Sequence, residues 1–240
     1  MTYIINGAGG QMGKAIFACI TRMQPDAKIL CVDKMCDGYI KSLSEITEKA
    51  DCIIDFSHHT ATKDLTDFAV KTATPVVIAT TGQTEEEWEM IRSAANSVAV
   101  FNSGNMSVGV ALLVKLAKQA AAAFPDADIE IVETHHNRKA DAPSGTALMI
   151  ANGIKEVRPD AEIVTGRSGY GKREKKEIGV QSIRMGNVVG IHEVHVNTGT
   201  QCITLKHEAY DRALFADGAF AAAQEIMAKP AGLYNMNDIL

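Results

Sequence analysis

The strongest constraint on the fold lies in the first thirteen residues. Residues 2–6 (TYIIN) form a β-rich run, and Gly7-Ala8-Gly9-Gly10-Gln11-Met12-Gly13 follows at once. Helical spacing then takes over across 10–24, with Met12, Ile16, Cys19, Ile20 and Met23 on one face. The first glycines allow a tight turn and let backbone approach a pyrophosphate. The last lets the helix pack close to a sheet. A helix that starts there offers unpaired N–H groups and a positive dipole end to phosphates. Asp33 closes the next β-rich run (28–32), where a carboxylate accepts the hydrogen bonds of an adenine-ribose diol. It would repel a 2′-phosphate, so the reading is NADH. The adjacent Lys34 is a compensating cation that leaves NADPH open.

The pattern continues with strands at 51–56, 75–79 and 98–101 and helices at 60–72 and 84–96. Apolar strands alternating with amphipathic helices predict a parallel sheet covered on both faces. Thr84 followed by three glutamates marks an N-cap and an acidic first turn. The rhythm changes after about residue 106. An alanine-rich helix over 107–123, read as buried, precedes an alternating strand (128–134) and a helix at 145–157. Strands at 178–184, 188–196 and 201–207 follow without intervening helices, which predicts a mixed or antiparallel sheet. A last helix over 212–228 stops before Pro230. The fold class is therefore α/β: a Rossmann-type parallel-sheet domain over 1–106, completed by 213–240, and an α+β domain over 107–212.

The net charge of −5 argues against a nucleic-acid partner. No run of 18 apolar residues predicts a membrane span, and the N-terminus lacks the cationic and apolar regions of a signal peptide. The cysteines (Cys19, Cys31, Cys36, Cys52, Cys202) form no C-x-x-C pair and read as reduced, mostly buried thiols of a cytoplasmic protein. His192, Glu193 and His195 lack helical metal-ligand spacing, and on a strand the two histidines face opposite ways, so no metal site is expected. His58 and His59 read as exposed loop residues, and the basic run from Arg167 to Glu177 as a solvated loop.

The second chemical segment is His135-His136-Asn137-Arg138-Lys139, followed by Pro143-Ser144-Gly145-Thr146 at a helix start. Ser144 suits an N-cap, and the Gly145 and Thr146 amides would point out of the helix. One cation beside a helix N-terminus makes a carboxylate site, and histidine exchanges protons near neutral pH. The same residues read equally well as a polar loop between a strand and a helix.

The segment ETHHNRKADAPSGTA at 133–147 resembles the signature of the 4-hydroxy-tetrahydrodipicolinate (dihydrodipicolinate) reductase family. So do GAGGQMG, DCIIDFS at 51–57, ATTG at 79–82, NSGNMSVGV at 102–110, SIRMGNVVGIHEV at 182–194 and FADGAFAAA at 215–223, in the same order. The resemblance implies NAD(P)H-dependent reduction of a cyclic imine dicarboxylate in diaminopimelate and lysine biosynthesis. It implies His135 and Lys139 as catalytic groups, and His136, Lys139, Ser144, Gly145 and Thr146 as substrate contacts. The implied cofactor contacts are Gly7, Ala8, Gly9, Gly10, Gln11, Met12, Asp33, Lys34, Ala79, Thr80, Thr81, Ser103, Gly104, Asn105 and Met106. It also implies a homotetramer assembled through the second domain. Gln11 stands where the family often has a basic residue, and Ala79 where a glycine is usual. A different Rossmann dehydrogenase, or a non-enzymatic NADH sensor, would explain the glycines and Asp33 but not the second segment.

Overall fold

The computed structural model describes residues 1–239. The chain divides into two compact units: Met1–Val108 with the chain from Arg212 onward, and Gly109–Asp211. It runs through β1 (Thr2–Asn6), α1 (Gln11–Met23), β2 (Lys28–Val32), β3 (Cys52–Asp55), α2 (Thr62–Thr72), β4 (Val76–Ile78), α3 (Glu85–Ala94) and β5 (Ala99–Asn102). There follow α4 (Val108–Ala123), β6 (Asp128–His135), α5 (Gly145–Val157), β7 (Glu162–Thr165), β8 (Glu177–Arg184), β9 (Gly190–Asn197) and β10 (Cys202–Ala209). The chain closes with α6 (Ala213–Ile226) and β11 (Gly232–Tyr234).

The first unit is built on a six-stranded sheet in the order β11-β5-β4-β3-β1-β2, with every pairing parallel. Strand side chains alternate between faces. Ile4, Ile53, Val76, Ile78 and Val100 therefore pack with Leu65 and Phe68 of α2 and Ile91 of α3. The alternate residues Tyr3, Ile5, Ile54, Val77 and Phe101 are equally buried. Helices α1 and α6 pack together, and Tyr3 meets Phe220 of α6 edge to face, with ring centroids 5.8 Å apart. The second unit has a five-stranded sheet in the order β10-β9-β6-β8-β7, antiparallel on the β9 side of β6 and parallel on the β8 side. Its core joins Ile129, Ile131, Ile178, Val180, Val194 and Val196 to Ala147, Ile150 and Ile154 of α5 and to Leu113 and Ala117 of α4.

Several expectations need correction. Strands β7 and β11 escape a pattern reading because they have four and three residues. Edge pairing to β8 and β5 makes them strands, and no periodicity shows in so short a run. Met23, on the apolar face of α1 by spacing, is exposed because it ends the helix. Helix α4 is covered on one side only. Val110, Leu113 and Ala117 are buried, whereas Val108, Leu112 and Leu116 are exposed. Cys19 and Cys52 alone are buried among the five free thiols; Cys31 and Cys36 are half-buried and Cys202 is exposed. Among the described residues no helix is long and apolar enough to cross a membrane.

Helix α6 owes its seat to small residues. A Cβ placed on Gly218 would lie 1.8 Å from the carbonyl oxygen of Met106, a backbone atom that has no rotamer to yield. Gly218→Ala is accordingly expected to destabilise the protein by roughly 1–3 kcal/mol through overpacking. Thermal melting checks this; an unchanged Tm would mean that the helix can shift at no cost.

Candidate active site

The glycine turn between β1 and α1 is tightly built. Gly7 has a φ of +80°, and a Cβ there would meet the carbonyl oxygen of Phe56 at 2.6 Å. A Cβ on Gly13 would lie 2.2 Å from the Gly7 carbonyl oxygen, so this glycine lets α1 approach its own turn. The amides of Gly7 and Ala8 both donate to the Val32 carbonyl at the end of β2. Gly10 caps α1 without any side-chain bond, and the first turn of α1 carries no acid. The N–H groups there have no intrahelical acceptor.

Asp33 follows β2 and faces this turn. Its carboxylate accepts from the Gly9 amide (3.0 Å) and the Met35 amide (2.8 Å). Partial burial pushes its carboxyl up, but the bonds from Met35, Gly9 and Cys36 outweigh that and hold it below the usual range. A cleft of about 530 Å³ opens here, lined by Gly7, Gly10, Asp33, Lys34, Lys41 and Phe56 among others. Gln11 does not stand alone: its Oε1 accepts from Arg212 Nη1 at 3.0 Å. A cation thus sits beside the start of α1, although position 11 is uncharged.

The turns after β3, β4 and β5 lie at the carboxyl edge of the same sheet, where ligands bind in open α/β folds. Buried Asp55 joins the ends of β1, β3 and β4, accepting from Asn6 Nδ2 (2.8 Å), Ser57 Oγ (2.6 Å) and Thr80 Oγ1 (2.6 Å). Burial raises its pKa despite these donors. The Thr80 hydroxyl is therefore committed to the protein interior. Thr81 is exposed, and its Cγ2 is 3.7 Å from where a Cβ of Gly104 would stand, so the ATTG and SGN turns are neighbours. Ser103 and Asn105 brace their own turn, and Met106 is buried. His59 is not a free loop histidine: Glu87 of the α3 capping box grips its Nδ1 at 2.9 Å, and His58 caps the short turn before α2.

In the second unit β6 alternates, so that Ile129, Ile131, Glu133 and His135 point to one buried face. The register sets Ser182 of β8 and His192 of β9 opposite Glu133, and Arg184 of β8 opposite His135. Glu133 is fully buried. Its carboxylate receives Arg184 bidentately (2.7 and 2.9 Å), His135 Nδ1 (2.5 Å) and the Ser144 amide (3.2 Å). Burial alone would push the Glu133 carboxyl up. Hydrogen bonds from Arg184, Ser182 and His135 reverse this and bring it to about 2.

Ser144 is buried and caps α5, accepting from the Ala147 amide at 3.2 Å; its Oγ also lies 3.2 Å from His192 Nε2. Gly145, the first residue of α5, is exposed, with nothing within 4 Å of a Cβ there. Lys139 is paired with Asp141 at 2.8 Å. Burial, then the nearby His135, lowers the pKa of His192 to about 4, and its ring lies edge-on to that of His135. The basic run is no simple solvated loop either. Arg173 donates to the carbonyls of Ile129 and Glu177 and pairs with Asp128.

Comparison with known proteins decides the family. The description "Dihydrodipicolinate reductase, N-terminus" matches residues 1–106, and "Dihydrodipicolinate reductase, C-terminus" matches 109–240. The chain belongs to the dihydrodipicolinate reductase family. It is 42% identical to a 4-hydroxy-tetrahydrodipicolinate reductase of Caldanaerobacter subterraneus subsp. tengcongensis, with 99% of this chain and 97% of the relative covered. The reductase of Clostridium novyi is 38% identical over 99% of this chain and 97% of its own length. A dipicolinate-bound dihydrodipicolinate reductase from Paenisporosarcina sp. TG-14 superposes with a TM-score of 0.84 at 26% identity, covering 100% of this chain and 99% of that one.

Reductases of this family with a Rossmann-type unit imply a nicotinamide cofactor, and the first unit fits a dinucleotide. The glycine turn leaves no room for side chains, the start of α1 presents uncapped amides, and the Asp33 carboxylate lies beside them. Pattern reading missed Glu133, Arg184, His192, Asp55 and Arg212. The signal for the first was present, because Glu133 precedes His135 by two on a strand and so shares its face. The others depend on register or on a distant return of the chain.

The buried neutral His192 carries a pH signature. Its folded pKa of about 4 lies below the unfolded value near 6.5. Between these values the unfolded chain binds a proton that the folded one refuses, so stability falls as pH drops through that window. The loss is about 3 kcal/mol, complete near pH 4. Melting curves from pH 7 to 4 should show this decline, and His192→Asn should flatten it.

Proposed function

We propose that the chain catalyses the NAD(P)H-dependent reduction of 4-hydroxy-tetrahydrodipicolinate to tetrahydrodipicolinate in diaminopimelate and lysine biosynthesis. The first unit holds the cofactor and the second holds the dicarboxylate. The observation that carries this reading is one cluster of groups, from His135 through Lys139 to the exposed start of α5 at Gly145. The relative crystallised with dipicolinate binds a planar dicarboxylate of the same class.

A bound reduced nicotinamide supplies the hydride. The rest of the chemistry falls to side chains. Loss of water from the substrate gives a conjugated imine, and hydride addition at C4 leaves negative charge along its C=C–C=N system. The Lys139 ammonium offsets that charge and holds a carboxylate. Gly145 and Thr146 amides at the start of α5 receive a carboxylate. His135 exchanges the proton through Nε2, because Nδ1 is bonded to Glu133. His136, next to His135 in the same segment, completes the substrate contacts.

The Asp33 carboxylate supports NADH as the principal cofactor, while Lys34 and Lys41 on the same cleft leave NADPH admissible. We read the protein as a cytoplasmic homotetramer assembled through the second sheet. What supports assembly is that sheet's outer face, where Val132, Ile183 and Ile191 alternate with the buried core residues and Ile183 is exposed. Five free thiols support a reducing compartment. Sedimentation of the purified protein checks the assembly; a monomer at micromolar concentration would remove it.

Lys139→Ala should lower kcat by ~10²–10⁴-fold and raise the substrate KM. The Kd for NADH, followed by fluorescence, should stay unchanged. Wild-type turnover in that variant would reject the assignment. Comparing KM for NADH and NADPH tests Asp33: a strong preference for NADPH would take it out of the ribose-binding role.

A further inference from the structure

We infer that Glu133 is the positioning residue for His135. Its carboxylate fixes the imidazole with Nε2 as the working nitrogen and, through the Ser144 amide, locks that imidazole to the start of α5. This deepens the proposed function, since it rests on His135 as the proton-exchanging group.

Geometry carries the argument. An ionised carboxylate has no proton to give, so the 2.5 Å contact makes His135 Nδ1 the donor. The neutral ring then has its lone pair on Nε2. Gly190 leaves room there, for a Cβ at that position would come within 3.1 Å of Nε2. Glu133 stays ionised because Arg184 grips both of its oxygens from β8. Arg184 also donates to the Asp141 carbonyl at 2.6 Å, in the loop that carries Lys139.

One buried carboxylate thus sets the tautomer of the ring, the N-cap of the substrate helix and, through its counter-ion, the loop of the lysine. A merely structural ion pair would need Arg184 alone. The remaining bonds go to the ring that the chemistry uses and to the amide that starts α5. The other charged or titratable groups facing His135 are few. His192 of β9 is neutral, His207 of β10 stands behind it in register, and Lys139 and Asp141 pair with each other.

Two measurements test the inference. In wild-type protein labelled with ¹⁵N-histidine, the neutral ring of His135 should be the Nδ1–H tautomer; an Nε2–H tautomer overturns the proposal without any variant. In kinetics, Glu133→Gln should lower kcat on the order of 10²-fold and leave the NADH Kd unchanged. Glu133→Asp keeps the charge for Arg184 but shortens the reach to His135. It should lose kcat while retaining more of the wild-type Tm than Glu133→Gln.

If Glu133 acts through His135, Glu133→Gln costs nothing further in a His135→Ala background. Fully additive losses overturn the inference. Should His135→Ala turn over at the wild-type rate, the reading of His135 itself fails and takes the inference with it. Loss in His135→Ala beside wild-type turnover in Glu133→Gln defeats the inference alone.

Discussion

The pairing of Glu133 with Arg184 organises the second unit. A carboxylate without solvent contact is costly unless it is paired and fully hydrogen-bonded, and Glu133 meets both conditions. Such a pair adds little net stability, because desolvation offsets most of its attraction. What it adds is specificity. Arg184 of β8 gives two bonds to the two Glu133 oxygens, His135 of β6 and the Ser144 amide at the N-cap of α5 give one each, and Ser182 of β8 adds a hydroxyl.

The first unit works by a different physical means. Its glycine turn is shaped by the absence of side chains, and the charge beside it comes from one end of a helix and from Asp33. Buried Asp55 plays a role there comparable to that of Glu133, drawing in Asn6, Ser57 and Thr80 so that the turns after β1, β3 and β4 share one anchor. The two acids differ in one respect. Asp55 has neutral donors and burial raises its pKa, whereas Glu133 faces a guanidinium that holds it ionised.

Much of this was legible in the sequence. Long elements with clear periodicity, such as α5 and β6, are readable because local pattern and burial agree. The glycine turn was readable because each glycine answers a local steric demand. Where reading fell short, the cause was non-local. The carboxyl group of Glu87 serves a capping box and also reaches His59 from another loop. Gln11 departs from a basic pattern, yet Arg212 arrives beside it from the far end of the chain. Ser144, read as a substrate contact, is buried, and its hydroxyl serves the helix cap and lies beside His192, a partner that only the register supplies.

By itself the sequence determined the longer elements and their order, the glycine turn, the acid after β2 and the histidine–lysine segment, since all of these are encoded within windows of a dozen residues. Tertiary structure alone decided which partners those groups keep. Register across β8, β6 and β9 brings Arg184 and His192 to the buried face of Glu133 and His135, and nothing in a single strand specifies its neighbours. Side chains some 50 positions apart acquire one shared electrostatic environment only when the sheet is assembled and water is removed from between them.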